Sequence, residues 1–409
     1  MSDRDVRIGL LGRGTVGGAF AELVESRADS VEALSGRRPV ISGVLTRSEG
    51  DFAEILAGSD VIVEVMGGLD PARDHVVAAL EAGLPVITAN KQLVSRCGPE
   101  LWEAAARGGS QLRFEAAVAA VVPVIRVLTE SLAGADIERV HGIVNGTTNF
   151  ILSEMASTGA GYADALAEAQ RLGYAEADPS DDVSGADAAA KMAILAQLAF
   201  DGWVDIGDVV YEGIEGLTAE DLAYAREFDL ALKLLGTAER VGDEVSVRVN
   251  PAFLYSEHPL ASVNGSFNAV TVEGPDITEV TLSGPGAGGP QTASAILGDL
   301  VSILTGVPAI PAPGGELSAA AEVVSSFYLH LEVVDRPGVL AQIASVLGEH
   351  GVSVKSVVQK GVGEGARLAM VTHPIREQDF NAARDAIASL DFVSSPPRVI
   401  RVIDEHFDG

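Results

Sequence analysis

Short apolar runs alternate with amphipathic stretches along the first third of the chain. The runs VRIGLLG, PVISGVLT, DVIVEVMG and GLPVITAN are rich in β-branched residues, and turn residues follow them. GGAFAELVES and DPARDHVVAALEAG have helical spacing, and the second ends at Gly83. Strands that alternate with helices predict an α/β domain with a doubly wound, Rossmann-type parallel sheet. We expect this domain to cover residues 1–135, with residues 285–305 returning to it.

The pattern changes from about residue 136. IERVHGIVNGTTNFILSEMA predicts a strand, a turn and a helix; alanine-rich helices follow, and further strands come after Glu239. These elements predict a second, α+β domain over residues 136–304. Prolines and glycines in TGVPAIPAPGGELS predict a linker over residues 305–325. Beyond it, residues 326–409 alternate as βαββαβ, which is the ferredoxin-like order.

Composition narrows the class of protein. The 409 residues carry a formal charge of −30, which argues against a nucleic-acid-binding surface. Cys97 is the single cysteine, so an intrachain disulfide is excluded and a reducing cytoplasm is favoured. The longest apolar run, AAVAAVVPVI, is too short to span a bilayer, and the charged start MSDRDVRIG is unlike a signal peptide. We therefore expect a cytoplasmic protein without a membrane partner.

A glycine-rich turn directly follows the first predicted strand. Gly12-Arg13-Gly14-Thr15-Val16-Gly17 has the G-x-G-x-x-G spacing that lets a pyrophosphate approach the backbone at a helix N-terminus. A plain glycine turn is the alternative, but the βα alternation around it favours dinucleotide binding. The second strand ends in VLTRS, so Arg47 stands where an acid usually binds the ribose of NAD. An arginine there suits the 2′-phosphate of NADP(H); a solvated surface arginine, with NAD(H) as cofactor, is the alternative.

An acidic segment precedes a strongly apolar helix. GYAEADPSDDVSGADAAAK, residues 173–191, gathers five carboxylates and ends at Lys191. Asp187 and Lys191 are four residues apart and share one helix face, so an ordinary helix pair or a helix cap would also explain them. However, AAAKMAILAQLAF is apolar nearly all round, which predicts a buried helix. A buried lysine beside carboxylates suits a proton donor or carbonyl polariser that acts on an ammonium-bearing substrate.

These features together resemble homoserine dehydrogenase with a C-terminal ACT domain, over nearly the whole chain. The resemblance rests on the acidic segment, extended back to Ala169, and on the blocks TANKQLVS, GIVNGTTNFIL, HPLASVNGSFNAV and GPGAGGPQTAS. It implies an NAD(P)-dependent oxidoreductase that interconverts L-aspartate 4-semialdehyde and L-homoserine. It also implies that residues 136–304 bind substrate and dimerise, that residues 326–409 are the ACT domain, and that the protein is a homodimer or homotetramer.

The resemblance further implies roles for individual residues. Lys191 resembles the catalytic proton donor, and Lys91 resembles a second active-site lysine close to the nicotinamide. The implied substrate-binding acids and cofactor-contacting glycines are Glu176, Asp187, Asp182, Gly173 and Gly288. Two alternatives stay open: a regulatory paralogue of the same fold with impaired turnover, and another dehydrogenase that combines a Rossmann domain with an ACT domain.

One block departs from the family pattern. FEAAVAAVVPVI has Ala119-Ala120-Val121 where the family usually has a cluster of glycines. In the family, a glutamate matching Glu115 and the carbonyls matching Val118, Ala120 and Val122 hold a sodium ion, so the resemblance implies a sodium site there. If a family glycine serves a positive φ angle, we expect Val121 to resist it.

The C-terminal stretch DRPGVLAQIASVLGEHG resembles the ACT signature. Pro337 is predicted in the first helical turn and Gly351 just past the helix end. The resemblance implies that the loop over Asp335, Gly338, Val339 and Leu340 binds an amino acid and that threonine is a feedback effector. A dimerisation module without a ligand is the alternative.

Overall fold

The N-terminal domain is a parallel sheet flanked by helices. The computed structural model describes residues 4–361 and 366–403, so residues 1–3, 362–365 and 404–409 of the predicted domains lie outside the description. The elements of this part are β1 (Asp5–Leu11), α1 (Thr15–Ser35), β2 (Arg38–Leu45), α2 (Phe52–Ala57), β3 (Val61–Glu64), α3 (Ala72–Glu81), β4 (Val86–Thr88), α4 (Lys91–Gly108) and β5 (Leu112–Arg113). The strand order β2-β1-β3-β4-β5, parallel throughout, confirms the predicted Rossmann-type fold.

The carboxyl ends of β1, β3 and β4 meet at one edge of this sheet, where α/β proteins bind ligands. The glycine-rich turn follows β1, and Lys91 begins α4 three residues after β4 ends. A late helix, Gly289–Leu304, packs along α1 on the other side of that turn. Its Ile296 joins a buried cluster with Ile8 of β1 and Phe20 of α1. Chain segments far apart in sequence therefore meet at the same edge.

The middle domain packs helices on one face of an antiparallel sheet. Its helices and strands are α5 (Val124–Arg126, continuing as a π-helical turn over Val127–Ser131), β6 (Arg139–Ile143), α6 (Gly146–Thr158), α7 (Tyr162–Leu172), α8 (Ser180–Val183), α9 (Ala186–Ala199), β7 (Val210–Tyr211), α10 (Ala219–Glu227), β8 (Leu230–Val241), β9 (Glu244–Tyr255), β10 (Phe267–Gly274) and β11 (Thr278–Pro285). The next helix is α11 (Gly289–Leu304), which packs on α1 of the N-terminal domain. Short 3₁₀ turns cover Glu115–Ala117, Ile206–Asp208 and Pro259–Ser262. The strand order is β11-β10-β6-β8-β9. A Cβ atom on Gly236 of β8 would lie 2.3 Å from Met192 of α9, so this glycine permits their close approach.

The C-terminal domain has the predicted ferredoxin-like order. It contains β12 (Val324–Val333), α12 (Val339–Glu349), β13 (Val354–Lys360), β14 (Ala366–Thr372), the short β15 (Ile375–Arg376), α13 (Glu377–Ala388) and β16 (Arg398–Ile403). The strands are arranged β16-β12-β14-β13. The prediction for Pro337 is wrong: α12 begins at Val339, and Gly338 with φ +95° is the cap before it. Gly351, with φ +74°, lies just past the end of α12 as predicted.

The C-terminal domain is joined to the middle domain by backbone pairing, which the sequence did not predict. Strand β16 pairs in parallel with β9, from Arg401 opposite Ala252 to Ile403 opposite Leu254, so the two sheets are continuous. Helix α10 also contacts this domain through a 2.7 Å ion pair between Asp221 and Arg398. Among the described helices, none is long and apolar enough to cross a bilayer.

Candidate active site

The glycine-rich turn is shaped so that two of its glycines cannot be replaced without moving the backbone. Gly12 has φ +103°, and a Cβ there would lie 2.7 Å from the carbonyl oxygen of Val65. A Cβ on Gly17 would lie 2.1 Å from the carbonyl oxygen of Gly12. A Cβ on Gly14 would meet no atom within 4 Å, so space is open in front of this residue, which caps α1. The turn thus fits the close approach of a phosphate at a helix N-terminus.

A second helix N-terminus lies beside the first. Gly288, with φ +121°, caps α11, and a Cβ on Gly289 would be 3.2 Å from the backbone oxygen of Thr15. Thr15 and Val16 form the first turn of α1. Helix N-termini carry partial positive charge from their unpaired N–H groups. Two adjacent N-termini therefore provide a binding surface for a phosphorylated cofactor.

One buried carboxylate joins the two lysines that the sequence singled out. Asp187 Oδ1 lies 2.8 Å from Lys91 Nζ, and Asp187 Oδ2 lies 2.8 Å from Lys191 Nζ. Burial alone would raise the pKa of Asp187, but the attraction of Lys191 and Lys91 outweighs it and holds the pKa well below its ordinary value. Burial likewise opposes the charge on Lys91, yet Asp187 raises the pKa of Lys91 above its ordinary value. The carboxylate is therefore ionised and paired with two cations.

The lysines come from opposite sides of the site. Lys91 is the first residue of α4 in the N-terminal domain, and its side chain is 34% exposed. Lys191 lies in the middle of α9, which is buried on nearly all sides as its apolar pattern predicted, and its side chain is 13% exposed. The site is thus a junction between the two domains, open on the Lys91 side.

Two residues at the end of β6 belong to the site although sequence reasoning assigned them no role. The carbonyl oxygen of Val144 accepts a 2.7 Å hydrogen bond from Lys191 Nζ. Asn145 Nδ2 donates to Asp182 Oδ1 at 2.7 Å and to Asp187 Oδ2 at 2.8 Å. The GIVNGTTNFIL block was the only signal for them in the sequence, and it indicated the family rather than a contact.

The other predicted substrate and cofactor residues lie farther from the lysines. Asp182 is half-buried, and its charge contributes to the raised pKa of Lys91, so the structure brings it into the site. Glu176 and Gly173 are exposed, the second as the left-handed cap that ends α7 with φ +80°. Arg47 is exposed just beyond the end of β2. No contact in the described residues joins Glu176 or Arg47 to the lysine pair.

A pair of buried carboxylates occupies the predicted sodium region. The oxygens of Glu115 accept backbone N–H groups of Ile125 and Arg126, each at 2.9 Å, and Asp299 Oδ2 accepts the N–H of Glu115 at 3.0 Å. Burial, with the nearby charge of Asp299, raises the pKa of Glu115 to about 7. Burial raises the pKa of Asp299 to about 6. Arg126 already pairs with Asp299 at 3.5 Å, so Glu115 is the acid of the two without an ion pair among the described residues and the one that a cation would suit.

One residue in the same region has a positive φ angle. The positive φ angle falls on Ala120, at +47°, and Val121 has none. Val121 is instead 37% exposed, while Val118, Ala120 and Val122 are buried. Val121 is therefore not required to adopt the angle that it was expected to resist, because the left-handed residue is an alanine, in which such an angle is uncommon but tolerated.

A further cluster with metal-ligand chemistry lies outside this site. His141, His258 and Glu273 are buried, and one ligand atom from each lies within 4.8 Å of the others. However, Nδ1 of His258 accepts the backbone N–H of Leu260 at 3.1 Å, so a neutral His258 carries its hydrogen on Nε2 and has no second lone pair to offer. Glu273 is also paired with Arg139 at 3.3 Å. These contacts argue against a metal site that uses all three residues.

The predicted effector loop lies at the surface of the C-terminal domain. Asp335, Gly338 and Leu340 are exposed, whereas the side chain of Val339 is buried. The backbone N–H of Val339 already donates to the carbonyl of Arg336 at 3.3 Å. Exposed groups of the loop are therefore the ones that a ligand can reach.

Three family profiles match the chain. The profile of homoserine dehydrogenase matches residues 123–301, and that of the homoserine dehydrogenase NAD-binding domain matches residues 12–115. The profile of the ACT domain matches residues 328–392. Together they cover the glycine-rich turn, both lysines and the C-terminal domain.

Known proteins resemble the chain over its full length. It is 40% identical to a homoserine dehydrogenase of Synechocystis, covering 97% of this chain and 99% of that protein. It is 42% identical to one of Mycobacterium tuberculosis, covering 98% of each. A crystal structure of a homoserine dehydrogenase from Thiobacillus denitrificans superposes with a TM-score of 0.91 at 37% identity, covering 98% of this chain and 99% of that one. A hyperthermophilic archaeal homoserine dehydrogenase in complex with NADPH gives 0.65 at 27% identity, covering 75% of this chain and all of that one.

Proposed function

The chain belongs to the homoserine dehydrogenase family, and from this premise we propose how its residues carry out the interconversion of L-aspartate 4-semialdehyde and L-homoserine. It is an NAD(P)-dependent oxidoreductase with an ACT domain. What is proposed is the identity of the proton donor, the substrate-binding acids, the cofactor preference, the cation site and the effector.

Lys191 is the proposed proton donor, and its contacts with Asp187 and Val144 carry the proposal. An ammonium group has three hydrogens. Two of them point to Asp187 Oδ2 and the carbonyl of Val144, at 2.8 and 2.7 Å, which leaves one for a substrate oxygen. In the direction of reduction, Lys191 gives this proton to the aldehyde oxygen as it becomes a hydroxyl. In the direction of oxidation, Lys191 takes the proton back.

Lys91 and the acidic segment are proposed to orient the substrate. Lys91 keeps its charge because of Asp187, and its side chain lies on the open side of the site, where it can attract the substrate's carboxylate or carbonyl. Asp187 was predicted to bind substrate, but both of its oxygens are paired with the lysines, so we propose that it orders them instead. Asp182 and Glu176 are the proposed partners of the substrate's ammonium group. The position of Asp182 beside the lysines supports its role. Glu176 is supported by the family resemblance alone, since its side chain is exposed.

The cofactor is proposed to be NADP(H) in preference to NAD(H). Its pyrophosphate would be held by the turn over Gly12, Gly14 and Gly17 together with the first turns of α1 and α11, and the open space at Gly14 supports this fit. When bound, NAD(P)H supplies the hydride that the aldehyde carbon accepts. Arg47 is exposed at the end of β2 and is the proposed partner of the 2′-phosphate.

A sodium ion is proposed near Glu115, with the carbonyls of Val118, Ala120 and Val122. The raised pKa values of Glu115 and Asp299 support it, because a bound cation would offset the charge of two buried acids. This ion would have a structural role: the segment lies between the N-terminal sheet and the middle domain, so holding it fixes how the lysines meet.

The single Cys97 supports a cytoplasmic location.

The protein is further proposed to act as a homodimer or homotetramer with threonine as effector. In the single chain, β11 is an edge strand of the sheet and Phe267 on the neighbouring β10 is 49% exposed, features that a second copy would cover. The exposed loop over Asp335, Gly338 and Leu340, at the start of α12, is the proposed threonine site.

A Lys191→Ala variant tests the proposed function. We expect homoserine oxidation by the full chain, with NADP or NAD, to fall by roughly 10²–10⁴-fold in kcat, because proton transfer supplies a factor of that size. NADPH binding, measured by fluorescence, should stay within a factor of two. Lys355→Met is the matched control, since Lys355 is a surface lysine of the ACT domain. A folded Lys191→Ala variant with normal kcat contradicts the role of Lys191. A wild-type chain that binds NADPH but does not turn over would identify the impaired paralogue.

A further inference from the structure

Asn145 makes more hydrogen bonds within the site than a helix cap alone requires. It is 5% exposed and lies between the end of β6 and the start of α6. Its Oδ1 accepts the backbone N–H of Thr148 at 2.9 Å and the hydroxyl of Thr148 at 3.0 Å, so it is the N-cap of α6. Its Nδ2 donates to Asp182 and to Asp187 at 2.7 and 2.8 Å. Every hydrogen-bonding atom of the amide is thus engaged.

The orientation of this amide is fixed by its partners. Oδ1 faces the N–H of Thr148, which can only donate, and Nδ2 faces two carboxylates, which can only accept when ionised. A flipped amide would bring donor against donor and acceptor against acceptor. The cap at one end therefore determines where the two amide hydrogens point at the other end.

Those two hydrogens hold two negative charges close together. Both carboxylate oxygens lie within hydrogen-bond distance of one nitrogen, so they can be no farther apart than the sum of the two bonds. Two carboxylates at such a distance repel unless something between them compensates. Lys191 and Lys91 compensate Asp187, but no ion pair within 4 Å is found for Asp182 in the described residues. Among the described residues, the amide of Asn145 is the hydrogen-bond donor that holds the carboxylate of Asp182.

We propose that Asn145 is a positioning residue that sets the separation of Asp182 and Asp187, so that one carboxylate organises the two lysines while the other faces the substrate's ammonium group. The inference rests on the proposed function, because it assigns Asn145 to the same site. Asp182 lies in the short helix α8 of an otherwise exposed acidic loop. Without the amide it would move away from Asp187, and the ammonium would lose its partner.

Two substitutions separate positioning from capping. Aspartate and serine are both good N-cap residues, so Asn145→Asp and Asn145→Ser keep the acceptor that α6 needs. Neither keeps both amide hydrogens, and Asn145→Asp adds a third carboxylate to the pair. If Asn145 only caps α6, Asn145→Ser should have wild-type kinetics, and Asn145→Asp should lose only what its added charge removes. If it positions the acids, both should lose activity while remaining folded.

The measurements are kcat and KM for homoserine across pH 6–9, NADPH affinity and Tm, all on the full chain. We expect Asn145→Ser to raise KM for homoserine by roughly 10-fold or more, and Asn145→Asp to lower kcat/KM by about 100-fold at pH 8, a loss typical of misplaced catalytic groups. NADPH affinity should change less than two-fold. The loss in Asn145→Asp, relative to wild type, should shrink toward pH 6, because a protonated carboxyl can again donate one hydrogen.

Asp205→Asn is the matched control, since Asp205 caps a 3₁₀ turn outside the site and the exchange is the reverse one. It should leave all parameters unchanged. Wild-type kinetics in Asn145→Ser, or in Asn145→Asp if the serine variant does not fold, overturn the positioning role. Failure of the proposed function gives a different result: Lys191→Ala would then stay active, whatever the Asn145 variants show.

Discussion

At the scale of the residue, each lysine of this chain has a distinct environment. The five lysines are Lys91, Lys191, Lys233, Lys355 and Lys360. The first two share Asp187, and Lys360 is paired with Glu227. Lys233 is different, because it is 3% exposed and its acceptors are a backbone carbonyl and two side-chain amides rather than a carboxylate. The environment of each of these lysines is set by its own ion-pair or hydrogen-bond partners rather than by the acidic surface as a whole.

We expect Lys233 to make the native protein more stable at alkaline pH than at neutral pH. Burial lowers the pKa of Lys233 to about 8, against 10.5 for an ordinary lysine. Between these values the unfolded chain binds more protons than the native protein, so the free energy of unfolding rises with pH there, by on the order of 3 kcal/mol in full. Below pH 8 that gain is absent.

The measurement is the denaturant unfolding of wild type, Lys233→Met and Lys355→Met from pH 7 to pH 10. The difference between wild type and Lys233→Met should change with pH in favour of wild type. The surface control Lys355→Met should track wild type. A difference that is independent of pH would mean that Lys233 has an ordinary pKa.

Arg47 should determine the cofactor preference. Its guanidinium can pair with the 2′-phosphate that NADP has and NAD lacks. We expect Arg47→Ala to raise KM for NADP by about 10-fold or more, in line with the loss of a charge-assisted hydrogen bond, and to leave KM for NAD unchanged. The effect of Arg47→Ala on the two KM values is compared with that of Arg13→Ala, which removes an arginine of the glycine-rich turn. Equal effects on both cofactors would remove Arg47 from this role.

At the scale of the element, two connections assemble the site. The turn between β6 and α6 supplies the carbonyl of Val144 and the amide of Asn145. Helix α9 supplies Asp187 and Lys191 one turn apart, and because it is buried on nearly all sides, both side chains are held rather than solvated. The connection from β4 to α4 then adds Lys91. The helix pair of Asp187 and Lys191 that the spacing allowed is present, but Asp187 also pairs with Lys91.

The glycine-rich turn allows a test with three alanine variants. In Gly17→Ala the Cβ would meet the carbonyl of Gly12 at 2.1 Å, so the turn must move, and we expect both a lower Tm and weaker NADPH binding. In Gly14→Ala the Cβ meets no protein atom, so Tm should be kept while NADPH binding falls by about 10-fold or more from contact with the phosphates. Gly18→Ala, also unobstructed but inside α1, should bind NADPH as wild type does and have a Tm at or above that of wild type, because alanine favours a helix more than glycine. NADPH affinity unchanged in Gly14→Ala would contradict the assigned phosphate position.

At the scale of the whole molecule, the ACT domain is part of a continuous sheet. Strand β16 lies beside β9, and residues Val245 and Ala319 form a bridge between β9 and the linker. Arg248 of β9 and Arg401 of β16 both pair with Glu377 of α13. A ligand on the ACT domain thus has a direct structural route to the sheet that carries β6. Removing residues 319–409 would also expose the edge of β9, so a truncated chain would test folding as well as regulation.

Threonine inhibition is therefore better tested in the full chain. We expect millimolar threonine to inhibit homoserine oxidation, because an effector acts only through different affinities for two states. Asp335→Ala should raise the half-inhibitory concentration by about 5-fold or more, the size of a typical coupling, with basal kcat unchanged. Glu349→Ala, at the far end of α12, is the control. If wild type shows neither inhibition by threonine nor threonine binding by calorimetry, the domain is a dimerisation element without this effector.

The sequence by itself determined the fold class, the family and the identity of the central lysines. The fold class follows from short apolar runs and helical spacing, and the lysine helix pair follows from the four-residue offset of Asp187 and Lys191, all of which lie in neighbouring residues. The family and the role of Lys91 come from the resemblance of whole motif blocks. The tertiary structure decided which groups meet. That Asp187 serves Lys91 as well as Lys191, that Asn145 joins two acids, that Ala120 rather than Val121 takes the positive φ angle, and that β16 extends the sheet of β9 depend on segments distant in sequence. Such contacts are selected by the packing of the whole chain, and no local pattern encodes them.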